Sequence, residues 1–156
     1  LVNNEKLLLY LKKYTKEKIL EISFDRDKYF EKICKLIKNK GGIFLTVDYG
    51  YFKNKNHFTL QAVQNHKYSN ILENIGEKDI SSHVNFGSFR DIAENHNLKI
   101  DEYCTQREFL IKYGILERER NLSKFKNNKK ISSQVDRLIN NKEMGKLFKC
   151  LIISNL

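Results

Sequence analysis

Apolar residues recur at helical spacing over the first forty residues, and a continuous apolar run follows them. The spacing predicts a helix over 3–13, a short β-like segment over 19–23, and a second helix capped by Asp25 or Asp27. Gly41 is expected to end this second helix in the left-handed conformation. The apolar pairs of the second helix are Tyr29/Phe30, Ile33/Cys34 and Leu36/Ile37.

A strand is predicted directly after this helix, over residues 43–47. It is apolar apart from Thr46, which is typical of a strand covered on both faces. A helix that leads into such a strand is half of an α/β repeat, so the expected fold class is α/β. The sequence Asp-Tyr-Gly (48–50) follows at the carboxyl end of the strand, where open α/β sheets bind their ligands.

The rest of the pattern predicts two more strands, over 98–104 and 148–154, with a helical insertion between them. Residues 51–87 are irregular, polar and aromatic, which is typical of a functional or partner-covered connection. Thr105 and Glu108 have the spacing of a capping box at the start of a helix. The other expected segments are a short helix capped by Ser88, a mobile or solvated charged segment over 117–130, and a helix over 132–140.

Length, charge and cysteine usage narrow the classes of function. The 156 residues fit a single domain over 1–156, and 40% hydrophobic residues exclude a disordered chain. The net charge of +10 indicates either a lysine-rich solvated surface or a surface that contacts an anionic partner.

Three scattered cysteines without C-x-x-C spacing argue against disulfides and against a zinc site, so no metal is expected. No apolar run is long enough to span a membrane, and the start does not resemble a signal peptide.

The first residue of the sequence is Leu1, and its only methionine is Met144. A natural translation product begins with methionine unless it is processed. We therefore expect either the later part of a longer protein or a gene whose start was misassigned.

Six segments resemble, in order and spacing, the MidA-like family of class I S-adenosylmethionine-dependent methyltransferases. That family includes a mitochondrial arginine methyltransferase of complex I assembly. The resemblance covers nearly the whole chain but only the C-terminal half of the family. One departure is Ile75, which stands where a proline usually precedes the glycine. The segments are "EIS" (21–23), "GGIFLTVDYG" (41–50), "TLQAVQNHKY" (59–68), "GEKDISSHVNF" (76–86), "TQREFLIKYGI" (105–115) and "MGKLFK" (144–149).

The resemblance implies the C-terminal half of a class I, Rossmann-like methyltransferase sheet, with about three strands, flanking helices and a helical insertion over 105–147. Strand 43–47 would be the fifth strand of that sheet, and the last two strands its terminal hairpin. The glycine-rich turn and the acidic ribose-binding residue of the S-adenosyl-L-methionine site would lie upstream of Leu1. The missing N-terminal half is therefore an expected partner, and the isolated chain is expected neither to bind the cofactor tightly nor to catalyse.

Five residues are candidates for the site. Asp48 either lines the cleft that faces the methyl donor or substrate, or caps the turn that follows it. Tyr49 either stacks on or hydrogen-bonds a guanidinium, or forms a wall of the core. Asp79 and His83 are four residues apart, so on a helix the carboxylate would orient the imidazole; the alternative is a turn closed by an Asp–His hydrogen bond. His66, in "QNHKY", completes the set.

An arginine methyltransferase must hold a guanidinium, whose fork of donors suits a carboxylate. Asp48 and Asp79 are the candidates for holding it, and His66 or His83 for positioning it. Gln106 is interpreted as a residue of the helix start rather than a ligand.

The expected function is that of a C-terminal fragment of an S-adenosyl-L-methionine-dependent protein-arginine methyltransferase. By resemblance its protein substrate is a subunit of respiratory complex I. The expected location is the bacterial cytoplasm, or the mitochondrial matrix in a eukaryote. The alternatives are a basic nucleic-acid-binding module, for which "KFKNNKK" (124–130) is the main argument, and an inactive remnant of a split methyltransferase gene.

Overall fold

The computed structural model describes residues 5–13, 16, 19–53, 56, 58–124 and 128–156, which divide into two compact units. The smaller unit takes its residues from 1–23 and 54–82, and the larger from 24–53 and 83–156. The expectation of a single domain stays a prediction. In chain order the elements are α1 (Glu5–Lys13), α2 (Phe24–Lys40), β1 (Gly42–Tyr51), β2 (Gln61–Gln64), β3 (Lys67–Ser69), β4 (Asp79–Ser81), β5 (Val84–Asn85), α3 (Phe86–Asn95), β6 (Lys99–Thr105), α4 (Gln106–Lys112), α5 (Ile115–Ser123), α6 (Asn128–Ile139), α7 (Met144–Leu147) and β7 (Phe148–Asn155).

The larger unit contains a sheet with the strand order β5-β1-β7-β6. The strand β7 is antiparallel to both of its neighbours, whereas β5 is parallel to β1 and pairs only with Gly50 and Tyr51. The three predicted strands and the terminal hairpin of β6 and β7 are therefore confirmed. The mixed α/β fold class is confirmed with them.

The helix α2 follows its apolar pattern, but its start differs from the prediction. Asp25 and Asp27 lie inside the first turn, where their charges favour the helix dipole, so neither is the residue that precedes the helix. The end of the helix is as predicted. Gly41 has a φ of 75°, and its N–H donates to the carbonyl of Ile37 at 2.8 Å.

The core of the larger unit lies between one face of the sheet and the helices α2 and α3. Phe30 is at its centre, with its ring stacked on Phe89 at 4.1 Å and tilted against Phe44 at 5.9 Å. These contacts bury Leu151 and Ile153 of β7 completely. The strand β1 alternates instead of being covered on both faces as predicted, because α2 and α3 cover only the face that carries Phe44.

The helical insertion comprises α4 to α7. The charged segment over 117–130 was predicted to be mobile or solvated. Its first part belongs to the helix α5, since Glu, Arg and Leu are good helix formers, and α5 has no buried residue, which agrees with a solvated segment. The predicted helix over 132–140 is confirmed as α6, which begins earlier. Residues 125–127 of "KFKNNKK" lie outside the described residues.

The smaller unit holds a three-stranded antiparallel sheet with the order β3-β2-β4, within a segment that was predicted to be irregular. Asn65 and His66 form the two-residue turn between β2 and β3, both with positive φ (51° and 62°). The β-like segment predicted over 19–23 forms no strand. Its Glu21 carboxylate instead accepts the backbone N–H groups of Thr59 and Leu60, each at 2.8 Å.

The capping box predicted at the start of α4 is present. The hydroxyl of Thr105 accepts the N–H of Glu108 at 3.3 Å, and the Glu108 carboxylate accepts the N–H of Thr105 at 2.8 Å. We expect Thr105→Ala to lower the free energy of unfolding by about 1 kcal/mol, because it leaves a helix-start donor without its side-chain acceptor. Urea unfolding measures the change. Thr105→Ser keeps the hydroxyl and should lose much less; an equal loss in both variants would contradict the capping role.

Candidate functional site

Three aromatic rings meet at the carboxyl end of β1. The Tyr49 ring lies 4.1 Å from Phe148 and 6.2 Å from His83, centroid to centroid, and nearly parallel to the imidazole at 21°. The ring of Tyr49 stays partly exposed. The structure therefore brings together two of the predicted candidates, Tyr49 and His83, on one surface.

Phe148 belongs to this cluster, although sequence reasoning missed it. It is the register partner of Tyr49 on the neighbouring strand β7. Directly opposed residues of an antiparallel pair share a face of the sheet, so the two rings must meet. In the sequence Phe148 is only an aromatic residue at the start of a predicted strand. Its contact with Tyr49 follows from the register between two distant strands, which the sequence does not give.

Asp48 has an exposed side chain beside Tyr49. Its carboxylate accepts the N–H of Tyr49 at 2.7 Å. This is a local backbone contact of the kind that the capping alternative proposed. The exposed carboxylate nevertheless lies near the shared carboxyl end of the parallel strands β1 and β5, which is where such sheets bind ligands.

The backbone of His83 is hydrogen-bonded to a side chain at the start of α2. The guanidinium of Arg26 donates to the His83 carbonyl at 3.5 Å and lies 5.9 Å from the centroid of the Phe89 ring. His83 directly precedes β5, which among the described residues is the parallel neighbour of β1. The contact with Arg26 therefore holds the backbone in place where β5 begins.

Gly50 has a structural role in the Asp-Tyr-Gly sequence. A Cβ atom at this position would lie 2.5 Å from the carbonyl oxygen of Val84 and 2.6 Å from the ring of Phe86. Such separations are well below van der Waals contact, so only glycine allows β1 and β5 to approach this closely.

The helix α3 begins beside this contact, with a different cap from the predicted one. Asn85 is the N-cap residue, and its side-chain oxygen accepts the N–H of Ser88 at 3.2 Å. Ser88 was predicted to be the cap but lies inside the first turn, where its hydroxyl donates to Asp27 at 2.9 Å. The buried Ser88 side chain therefore joins the starts of α2 and α3.

His66 and Asp79 belong to the smaller unit. His66 is exposed in the turn between β2 and β3, and Asp79 is exposed at the start of β4. The shared helical face proposed for Asp79 and His83 is wrong, because Asp79–Ser81 is a strand rather than a helix. The roles of both residues in a site stay predictions.

Gln106 is buried and joins two helices rather than simply marking a helix start. Its amide donates to the carbonyl of Leu138 at 2.8 Å, and the guanidinium of Arg107 donates to that of Ile139, also at 2.8 Å. Both contacts satisfy carbonyls at the end of α6, which have no partner within their own helix.

Glu102 attaches the helical insertion to β6. Its carboxylate accepts hydrogen bonds from Lys112 and, at 2.7 Å, from the hydroxyl of Tyr113. The hydrogen bond from Lys112, and to a smaller extent the one from Tyr113, lowers the pKa of Glu102 below its usual value. These hydrogen bonds therefore stabilise the folded chain fully above the unfolded-state Glu pKa of about 4.3. Their contribution to the free energy of unfolding is lost as the pH falls through the lower pKa of Glu102 in the folded chain.

We expect Glu102→Gln to be less stable than the parent chain at pH 7, and the difference to shrink as the pH falls to about 3. Urea unfolding over this pH range measures the difference in the free energy of unfolding. Glu117→Gln removes an exposed carboxylate of α5 and should change little. A difference for Glu102→Gln that is unchanged at low pH would contradict the ion pair as its source.

The thiols are unsuited to nucleophilic chemistry. Burial raises the pKa of Cys34 and of Cys104 to about 11, and that of Cys150 to about 12. All three thiols are therefore protonated at neutral pH.

Among the described residues no group of three or more His, Cys, Asp or Glu side chains is arranged to hold a metal ion. In the same part of the chain no helix is long and apolar enough to cross a membrane.

Comparison with known proteins identifies the family to which this chain belongs. Residues 2–104 match the profile of a family described as "Putative S-adenosyl-L-methionine-dependent methyltransferase". The match covers more than half of the chain, so the chain belongs to this family. The MidA-like resemblance is thereby confirmed, and the cofactor of the family is S-adenosyl-L-methionine.

Two relatives carry the name protein arginine methyltransferase NDUFAF7, mitochondrial, or its homolog. The Caenorhabditis elegans protein is 38% identical over 82 residues, which are 53% of this chain and 19% of that protein. The Danio rerio protein is 29% identical over 140 residues, which are 87% of this chain and 32% of that protein. The chain thus spans about a third or less of the length of these relatives.

Two solved structures from Burkholderia thailandensis share the fold. One is of an uncharacterized protein, with a TM-score of 0.73, 22% identity, and coverage of 83% of this chain and 36% of that chain. The other contains bound S-adenosyl-homocysteine, with a TM-score of 0.71, 22% identity, and coverage of 83% and 35%.

Proposed function

We propose that this chain is the C-terminal part of an S-adenosyl-L-methionine-dependent protein-arginine methyltransferase. The observation that carries the proposal is the exposed Asp48 side chain near the carboxyl end of β1, where β5 runs parallel to it, with the partly exposed Tyr49 as the next residue of the strand. The named activity of the NDUFAF7 relatives supports the reaction class.

The residues of this chain fit one wall of a cofactor and substrate cleft. Bound S-adenosyl-L-methionine supplies a methyl group that is already activated on a sulfonium. Asp48 is suited to accept guanidinium N–H groups and to draw a proton from the attacking nitrogen. Tyr49 projects to the opposite face of β1 from Asp48. Its ring, fixed by Phe148 and His83, would therefore contact the flat cation by a cation–π interaction where the substrate passes the end of the strand.

The described residues contain no glycine-rich phosphate or nucleotide turn. In this proposal that turn and the other wall of the cleft belong to the N-terminal half of the domain. In this proposal His66 and Asp79 are further candidates for contacts to the substrate. The substrate is a protein, by resemblance a subunit of respiratory complex I. In a eukaryote the reaction would take place in the mitochondrial matrix, in line with the mitochondrial names of the relatives.

The test uses a joined protein, in which the part of the Danio rerio relative that precedes the matched region is fused to this chain. Transfer of labelled methyl groups to arginine in a mitochondrial matrix extract is measured, and mass spectrometry identifies the modified protein. Asp48→Asn and Tyr49→Leu are expected to lower the rate by about tenfold or more, whereas Glu117→Gln should not. Transfer at the parent rate by Asp48→Asn would contradict its role, and labelling outside complex I would contradict that substrate.

A further inference from the structure

Three large apolar side chains of the smaller unit lie open to solvent within one short stretch of the chain. Tyr68, Leu72 and Ile75 are 80%, 80% and 81% exposed. Among the described residues, Leu156 is the one large apolar residue that is more exposed. Such a concentration of exposed apolar side chains is typical of a surface that binds a partner.

The segment that carries Leu72 and Ile75 is held in shape by its own polar groups. The Asn70 side chain accepts the backbone N–H of Leu72 at 3.0 Å and donates to the Glu73 carboxylate at 3.2 Å. The ammonium of Lys78 closes the segment by donating to the Asn70 carbonyl at 2.7 Å. Because these contacts do not require burial of Leu72 or Ile75, both apolar side chains are available to another molecule.

Tyr68 shares one face of the small sheet with a carboxylate. Val63 of β2 pairs with Tyr68 of β3 on one side and with Asp79 of β4 on the other. Directly paired residues project to the same face, so the three side chains form a row across the sheet. Tyr68 and Asp79, at the two ends of this row, are both exposed. An aromatic ring and a carboxylate in this arrangement suit a cationic side chain, since both attract positive charge.

The charge of this region is opposite to that of the chain as a whole. Residues 68–81 carry three carboxylates and one ammonium, whereas the whole chain has a net charge of +10. The carboxylates belong to Glu73, Glu77 and Asp79, which are all exposed. The ammonium belongs to Lys78, which is half-buried and donates within its own segment. A cationic partner is therefore repelled by the chain as a whole and attracted to this region.

We call Tyr68, Leu72, Ile75 and Asp79 the 68–79 surface. We propose that the 68–79 surface binds a basic segment of the protein substrate in which arginine or lysine residues alternate with apolar ones. The proposal rests on the proposed function, in which the methyl acceptor is an arginine and therefore itself a cation. The surface would hold residues of the substrate other than the methylated one, so it would lower KM and leave kcat unchanged.

Peptide binding to the chain tests the surface without any need for activity. The probe is a short fluorescein-labelled peptide in which arginine and leucine alternate, and fluorescence anisotropy follows its binding. Leu72→Ser should weaken binding at least about fivefold, whereas Leu36→Ser, at an exposed position of α2, should not. Asp79→Asn should weaken binding at least about twofold at low salt and less at high salt. Glu117→Gln is its matched control and should change little.

The probe itself has two controls. A peptide with serine in place of leucine, or with glutamate in place of arginine, should bind at least about fivefold more weakly. Equal binding of the probe to Leu72→Ser and to the parent chain would overturn the proposal. Loss of binding in Asp48→Asn would also overturn it, because the probe would then occupy the strand end of β1.

Thiol labelling of Leu72→Cys identifies what covers the surface. The native thiols give little background, because burial raises the pKa of all three. The new thiol should react equally quickly in the chain alone and in the joined protein, and more slowly once the probe peptide is added. Slow reaction in the joined protein without peptide would identify the other half of the domain as the occupant and overturn the proposal. Protection that rises with the concentration of the chain alone would identify a second copy and overturn it as well.

Kinetics of the joined protein connect the surface to the substrate. For the protein that mass spectrometry identifies as modified, Leu72→Ser should raise KM about fivefold and leave kcat unchanged, whereas Asp48→Asn should lower kcat. An unchanged KM in Leu72→Ser would overturn the role of the surface in substrate binding. A joined protein that transfers no methyl groups would contradict the proposed function, while peptide binding to the chain would still decide for or against the 68–79 surface.

Discussion

Replacement of Phe86 with alanine is expected to lower the free energy of unfolding of the larger unit by about 3–5 kcal/mol. Phe86 is completely buried, and its ring lies 5.9 Å from that of Phe89 and against Gly50. Alanine would leave a cavity where three segments meet, namely β1, β5 and α3. Since domains of this size are stable by only about 5–15 kcal/mol, the variant should be largely unfolded under mild denaturing conditions.

The measurement is urea unfolding followed by circular dichroism. Phe58→Ala is the matched control, because it removes the same ring from a position that is 71% exposed. This control should change the free energy of unfolding by less than about 0.5 kcal/mol. A loss below about 1 kcal/mol for Phe86→Ala would show that the ring does not hold these segments together.

The second large effect is expected at Gly50. Gly50→Ala should destabilise the larger unit by about 1–3 kcal/mol, because the added methyl group overlaps the Val84 carbonyl as well as the Phe86 ring. A backbone atom cannot move aside as a side chain can. The strands β1 and β5 must therefore separate, and Asp48 and Tyr49 move with them.

Urea unfolding of Gly50→Ala measures the destabilisation, with Ile43→Ala as a control at an exposed position of the same strand. In the joined protein Gly50→Ala should also lower methyl transfer, because the strand end is displaced. Shortening Phe86 to leucine in the same chain should not restore stability, since the overlap with Val84 remains. Full recovery of the free energy of unfolding in that double variant would show that the added methyl group overlaps only with the Phe86 ring.

Local signals were enough to predict much of the larger unit. The end of α2 at Gly41 and the capping box of Thr105 and Glu108 depend on neighbouring residues only, and both are present. The three main strands were predicted for the same reason, from continuous apolar runs over 43–47 and 148–154 and from alternation over 98–104. The start of α3 was misassigned to Ser88 because both Asn85 and Ser88 are good capping residues, and only the backbone geometry separates them.

Features that depend on distant contacts were harder to predict. The apolar composition of β1 indicated burial on both faces, but burial depends on which elements cover each face. The Asp79 and His83 spacing was compatible with a helix until the pairing of Val63 with Asp79 placed the carboxylate in a strand. Tyr49 and His83 were proposed as candidates separately, and the structure places their rings 6.2 Å apart. Phe148 joins them only through the register of β7.

The position of β7 has a consequence for how the chain acquires its structure during synthesis. This strand lies between β1 and β6, yet the ribosome delivers it after both of them. Until then β1 and β6 have no common partner, and the apolar residues that Leu151 and Ile153 will cover remain accessible. Pairing between segments separated by roughly a hundred residues is slow because a long loop must close. The nascent chain therefore passes through a period in which its unpaired strands are prone to aggregate.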